Sequence, residues 1–279
     1  MPDQAESEEA EERSSPSAHV VYETIRQEGE DELQRNSSAL AWSALAAGLS
    51  MGFSFLAEAL LRRHLPEARW QGLITKLGYS VGFVIVILGR QQLFTENTLT
   101  VVLPLLLQKK LSVLLNVLRL WSIVLAANLA GGFLFAWAAA GSGAFDPELR
   151  GFFAQTASEA MSAGFGTIFL RAIYAGWLIA LMVWLLPFAE TARVWVISLL
   201  TYLVGLGHFP HIIAGAIEVF YLLITGAKSM GEVFGGYLAP ALLGNIVGGV
   251  SLVAALAHGQ IVGEKGGSEG KKGSESIDG

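Results

Sequence analysis

The stretch ILGRQQLFTENTLTVVLPLL, residues 87–106, is apolar at both ends, yet its middle carries Arg90, Gln91, Gln92, Thr95, Glu96 and Asn97. Flanks this apolar belong in a bilayer. Backbone that leaves the helix at that depth survives only where it is buried in protein or lines a wet cavity. The polar middle therefore predicts an interrupted membrane span.

The rest of the chain supports that setting. Of its 279 residues, 53% are hydrophobic and 15% charged, too apolar for an ordinary water-soluble domain. Six long apolar segments fill the region 38–260: about Ala39–Leu61, Gly72–Leu107, Leu111–Ala140, Ala157–Phe188, Val194–Thr225 and Tyr237–His258. Each reaches the roughly 20 residues that a helix needs to cross a bilayer. The second and fifth are long and broken near their centres by polar, Gly or Pro residues. Acidic residues 1–18 and the Gly/Ser/Lys/Glu-rich residues 261–279 supply much of the net charge of -6, and both compositions predict disorder. Between tail and first span, region 19–37 sets Val21, Ile25 and Leu33 among charges, which predicts a short amphipathic helix on the membrane surface.

Several functions lose support at once. Cysteine is absent, so disulfides, thiolate catalysis and thiolate metal centres are excluded, and no metal site is expected. No basic cluster is interleaved with aromatics, so nucleic acid is not an expected partner. The polar, acidic N-terminus does not resemble a cleavable signal peptide. His211 with Ser198 or Thr201 is imaginable as a hydrolytic pair, but no Gly-x-Ser-x-Gly, His-Glu-x-x-His or paired-aspartate pattern accompanies it, and an enzyme is not expected.

Internal repetition organises what remains. ANLAGGFLFA in the third segment and GNIVGGVSLVAA in the sixth place Asn128 before Gly131 and Gly132, and Asn245 before Gly248 and Gly249, about 117 residues apart. The same offset, within one, lays the first interruption over LGHFPHIIAG in the fifth segment, with Thr95 opposite His211. Three spans per half turn the second copy over. The expected fold is therefore an all-α integral membrane protein of six helices in an inverted 3+3 repeat of the aquaporin-like kind, with the second and fifth helices broken. The Asn and Gly residues predict close helix packing with an interhelical amide hydrogen bond. Two facing interruptions predict a pathway, with half-helix N-termini whose dipoles favour small anions.

GRQQLFTENT in the second segment, FLRAIYAGWLIALMVWL in the fourth, GHFPHIIAG in the fifth and LGNIVGG in the sixth resemble the formate/nitrite transporter family over about 39–258. The acidic N-terminal extension resembles the YfdC-type branch of that family. The resemblance implies a homopentamer in a cell (inner) membrane with cytoplasmic termini, one pore through each protomer, and no cofactor. Residue by residue, Thr95 matches the pore threonine, His211 the central histidine, and Leu93 and Phe94 the apolar constriction. Val204, Asn97 and His208 complete the expected pathway lining. The implied function is passage of a small monovalent anion or its conjugate acid, proton-linked through His211. Physical chemistry agrees, because an ion crosses an apolar ring only at high cost, whereas an imidazole that hands over a proton lets the pair leave neutral.

The departures bear on the substrate. Pro210, Gly215, Gly176 and Gln92 stand where the family commonly has polar or acidic residues, and no vestibule lysine appears before the fourth span, in QTASEAMSAG. Meanwhile Glu58, Arg90, Glu96, Arg171 and Glu218 lie inside spans, each costing about 2.5 to 3.5 kcal/mol at a helix centre unless paired or wet. The candidate supporting pairs are Glu96 with Arg171 and Glu218 with Arg90. Two further readings stay open: a neutral-solute pore, although neither break carries Asn-Pro-Ala, and an occluded relative that serves as a membrane scaffold.

Overall fold

The computed structural model describes the chain over residues 17–274; the tail expected over 1–18 lies almost wholly outside them, as do residues 275–279. Helix α1, Ala18–Gln34, opens on Ser17, whose hydroxyl accepts a hydrogen bond from the Val20 amide. Asn36 caps α2, Ser37–His64, in the same way through Ser38. The second apolar segment is built from α3 (Gln71–Thr75) and α4 (Tyr79–Leu88), then α5 (Asn97–Thr100) and α6 (Val102–Gln108) after an irregular stretch. Helix α7 (Leu111–Gly141) leads to α8 (Pro147–Ala160), which has Asp146 as its cap and Pro147 in its first turn, where no amide is needed. Then come α9 (Phe165–Leu185), α10 (Arg193–Leu206), α11 (Ile212–Ile224), a π-helical stretch (Glu232–Leu238) and α12 (Ala239–Ser274).

Five of these runs are long and apolar enough to cross a membrane: Ser37–His64, Gln71–Leu88, Leu111–Gly141, Phe165–Phe188 and Glu232–Leu256. Two shorter apolar helices, Asn97–Gln108 and Ile212–Ile224, follow the two interruptions. Outward faces carry Trp42, Leu115, Trp195 and Leu199, all exposed and apolar, as contact with lipid or neighbouring subunits requires.

Two boundaries and one environment differ from the sequence reading. Residues 157–160 belong to α8, and a turn ending at the extended Gly164 separates them from α9, so the fourth long helix begins at Phe165. Helix α12 continues past residue 260. The apolar face of α1 rests on protein rather than on a membrane surface: Tyr22 and Ile25 pack with Leu99, Leu103, Trp184 and Leu252. Helical periodicity reports an apolar face but not what covers it.

The two halves pack by one scheme. In the first, a Cβ on Gly48 would strike the Asn128 backbone, and one on Gly131 would strike the Leu45 carbonyl. In the second, Gly176 stands against the Asn245 backbone and Gly248 against the Ile173 carbonyl. Small residues thus let α2 meet α7, and α9 meet α12, at backbone distance.

Candidate functional site

Each interruption begins with the same helix ending. After α4, the Gly89 amide donates to Ile85 O (2.9 Å), Arg90 turns left-handed (φ 49°) and the Gln91 amide donates to Val86 O (2.9 Å). After α10, Gly207 donates to Leu203 O (2.9 Å), His208 turns left-handed (φ 49°) and Phe209 donates to Val204 O (3.0 Å). The six-residue hydrogen bond closes the last turn and throws the chain sideways.

The two asparagines then hold the released backbone. Asn128 Oδ1 accepts from the Phe94 amide (2.9 Å), while Nδ2 donates to Ala44 O (2.7 Å) and Gln92 O (2.9 Å). Asn245 Oδ1 accepts from Ile212 (2.8 Å), and Nδ2 donates to Ala172 O and Pro210 O (2.9 Å each). Both side chains are fully buried. Helix packing was thus only half of their role; the other half is satisfying backbone groups that the interruptions leave unpaired.

These bonds also correct the register. Gln92 corresponds to Pro210 and Phe94 to Ile212, so His211 is the counterpart of Leu93, and Thr95 lies two residues further on. Thr95 and His211 nevertheless meet, with Oγ1 2.6 Å from Nε2 and both residues buried. His211 also caps α11, its Nδ1 accepting from the Ala214 amide at 3.2 Å. An imidazole that accepts at Nδ1 carries its proton on Nε2 when neutral, so His211 donates to the Thr95 hydroxyl. Phe83 stands edge-on to the ring, with centroids 4.9 Å apart.

Two cavities approach this contact, and no lining residue is common to both. The first, about 470 Å³, is lined by His211, Val204 and His208 together with Lys76, Arg171, Glu218 and Tyr237. The second, about 320 Å³, is lined by Gln92, Asn97, Glu96 and Arg90, with Glu28 and Glu32 from α1. Leu93 and Phe94 line neither cavity; they are buried, and Phe94 packs edge-on against Trp121 at 5.7 Å. Gln92 ties α1 to the first interruption: its Nε2 donates to Glu32 Oε2 (2.9 Å), and its Oε1 accepts from Asn97 Nδ2 (3.0 Å). An acidic residue at 92 would instead face the Glu32 carboxylate.

Neither charge pair expected from the sequence forms. Glu96 and Arg90 share the second cavity, whereas Glu218 and Arg171 share the first. Glu58 is paired with Lys76 instead, Nζ to Oε2 at 2.5 Å, which leaves Glu58 Oε1 buried without a partner. Arg62 holds Glu159 through two bonds of 2.7 and 3.1 Å. Lys76, Arg62, Glu159 and Tyr237 were all missed by sequence reasoning. Lys76 interrupts an apolar run and was readable as an in-span charge; the others lie at span ends, where charge and tyrosine are ordinary. QTASEAMSAG carries no cation, but Lys76, Arg62 and Arg171 line the first cavity from other elements.

A family model described as formate/nitrite transporter matches residues 19–259. "Inner membrane protein YfdC" of Escherichia coli (strain K12) is 42% identical over 251 residues, covering 90% of this chain and 81% of that protein. "Probable formate transporter" of Methanothermobacter thermautotrophicus is 25% identical over 233 residues, 75% of this chain and 84% of that one. A solved "pentameric formate channel with formate bound" superposes with a TM-score of 0.65 at 22% identity, covering 78% of this chain and 94% of that chain. A "FNT family ion channel" superposes at 0.72 with 18% identity, covering 84% and 96%.

Proposed function

Because the chain belongs to the formate/nitrite transporter family, we propose that it conducts a small monovalent anion, or its conjugate acid, across an inner membrane as a homopentamer with one pathway per protomer. The observation that carries this reading is the 2.6 Å contact between Thr95 and His211, where the two interruptions meet. Lys76, Arg62 and Arg171 line the first cavity together with Glu159 and Glu218; Lys76 is held by Glu58 and Arg62 by Glu159, so Arg171, without an ion pair among the described residues, is the cation that attracts an anion. Deeper in, the anion must shed water and needs a replacement donor. Thr95 supplies it: its oxygen accepts from His211 Nε2–H, so its own hydroxyl proton is free to point at the anion, and the two bonds reinforce one another.

Proton linkage runs through the same pair. A second proton on the ring goes to Nδ1 and displaces the Ala214 amide that Nδ1 now accepts. An anion beside the charged ring favours that state, takes the Nε2 proton and leaves as the neutral acid; the ring is left as its Nδ1–H tautomer, and Nδ1 accepts from Ala214 again only after that proton is lost and Nε2 is reprotonated. Passage past the buried apolar residues Leu93, Phe94 and Val204 is then the passage of a neutral molecule.

A second reading, an occluded relative that acts as a scaffold, is favoured by one observation: the two cavities share no lining residue, and Leu93, Phe94 and Thr95 are buried and line neither. One experiment separates the two. The protein and His211→Phe are reconstituted in liposomes, and flux of formate, nitrite, lactate, chloride and hydrosulfide is followed with and without a pH gradient. Anion flux in the parent that is lost or uncoupled from pH in the variant supports transport. No flux above empty liposomes for any solute would leave the scaffold reading, and polyol swelling would identify a neutral-solute pore.

A further inference from the structure

Gly215 lies one helical turn beyond His211 on α11 and lines the first cavity. A side chain there has no room, since its Cβ would fall on the Tyr237 hydroxyl, with the ring carbons directly behind. At this level the wall is therefore a phenol from the last span rather than a side chain of α11. Tyr237 is 2% exposed and lines the cavity together with His211 and Glu218.

The element that presents it is unusual. Tyr237 is near the end of the π-helical stretch Glu232–Leu238, seven residues long, whereas π geometry is ordinarily confined to single turns. An extra residue per turn rotates the side chains that follow, and here the rotation sets the ring over Gly215. A buried phenol hydroxyl normally has a hydrogen-bond partner. Among the described residues the Tyr237 hydroxyl has none, yet it is not sealed: it keeps open surface on the cavity that the residue lines.

Resting on the transport reading, we propose that Tyr237 determines specificity: its hydroxyl, held over Gly215 one turn from His211, donates a hydrogen bond to a monovalent oxyanion passing between the first cavity and the Thr95–His211 contact. A dianion would carry a second charge into this buried wall at a far higher desolvation cost than a monoanion, which makes the passage hostile to it. The class selected is a small singly charged carboxylate or similar oxyanion.

The test compares the full-length parent, Tyr237→Phe and the double variant Tyr237→Leu/Gly215→Asn in liposomes. The double variant returns an amide donor from α11 to the vacated space. Formate flux is expected to fall roughly 10-fold in Tyr237→Phe, the scale of losing one hydrogen bond to a charged group. Thermal melting should stay unchanged, oxalate should remain excluded in the parent, and the double variant should recover flux. Formate flux at the parental rate in Tyr237→Phe overturns the proposal. So does a loss accompanied by early melting, which marks a packing role only, and so does rapid oxalate flux in the parent. A parent that carries no anion at all refutes the transport reading itself, a result distinct from each of these.

Discussion

The two interruptions are alike in backbone and unlike in side chains. Each ends a helix with a glycine and a left-handed residue, and each is then caught by a buried asparagine through three hydrogen bonds. Beyond that frame they diverge. The first carries Thr95 and a glutamine tied to α1, the second a histidine that caps its own helix. One cavity has Lys76, Arg62 and Arg171 with Glu159 and Glu218 at its wall, the other Glu28, Asp31, Glu32 and Glu96 with Arg90 and Arg193. Repetition fixes where the chain breaks, and divergence decides what the break can do.

If the frame is truly shared, damage to either half should be equal. Asn128→Ala and Asn245→Ala each strip three hydrogen bonds and orphan buried backbone groups at about 1 to 3 kcal/mol apiece. Both should therefore lose about 3 kcal/mol or more of stability, read as loss of monodisperse protein in detergent. A large cost in one half alone would break the comparison.

Gly48→Ala and Gly176→Ala come next. Each would push a methyl into backbone that cannot move aside, and overpacking of this kind costs about 1 to 3 kcal/mol. Equal falls in melting temperature are expected; a tolerated alanine at either site would mean that its helix pair has slack.

Charge should sharpen the difference between the cavities. Glu58→Gln leaves Lys76 with a neutral partner beside a wet cavity, so the cost should be about 2 kcal/mol, below the 3 to 5 of a fully buried broken pair. Anion uptake should be retained or raised. The mirror experiment, Glu32→Gln, removes a carboxylate that holds Gln92 and should alter flux with little effect on melting.

The smallest effect belongs to Asp146, in the connection between α7 and α8. The Leu149 amide at 2.9 Å, and then Arg63 at 2.7 Å, hold its carboxyl below the usual range. A depressed carboxyl stabilises above its unfolded pKa, and the contribution is lost as pH falls through the folded value. Asp146→Asn should therefore melt slightly below the parent at pH 7, with the gap closing below about pH 4. A gap that widens in acid would contradict the sign.

Much of this was legible in the chain. The polar run 90–97, the GHFPH stretch and the paired Asn/Gly motifs located both interruptions, because polar groups in an apolar span have few other reasons to be there. Partnership was not legible. Glu96 with Arg171 and Glu218 with Arg90 are complementary on paper, but complementarity says nothing about which cavity a residue enters. Lys76 reaches Glu58 only because α3 turns back beside α2. Tyr237 enters the site because a π-helical turn shifts its register, and no side-chain pattern announces that.

Among the described residues, the Asn128 side chain hydrogen-bonds only to Ala44, Gln92 and Phe94, and that of Asn245 only to Ala172, Pro210 and Ile212. A cut in the connection between Gly141 and Asp146 would sever none of them. Each half already owns the fastening for its own gap, so the two could be made as separate polypeptides and left to find one another; what neither fragment would own is the meeting of Thr95 with His211, which exists only once they are joined.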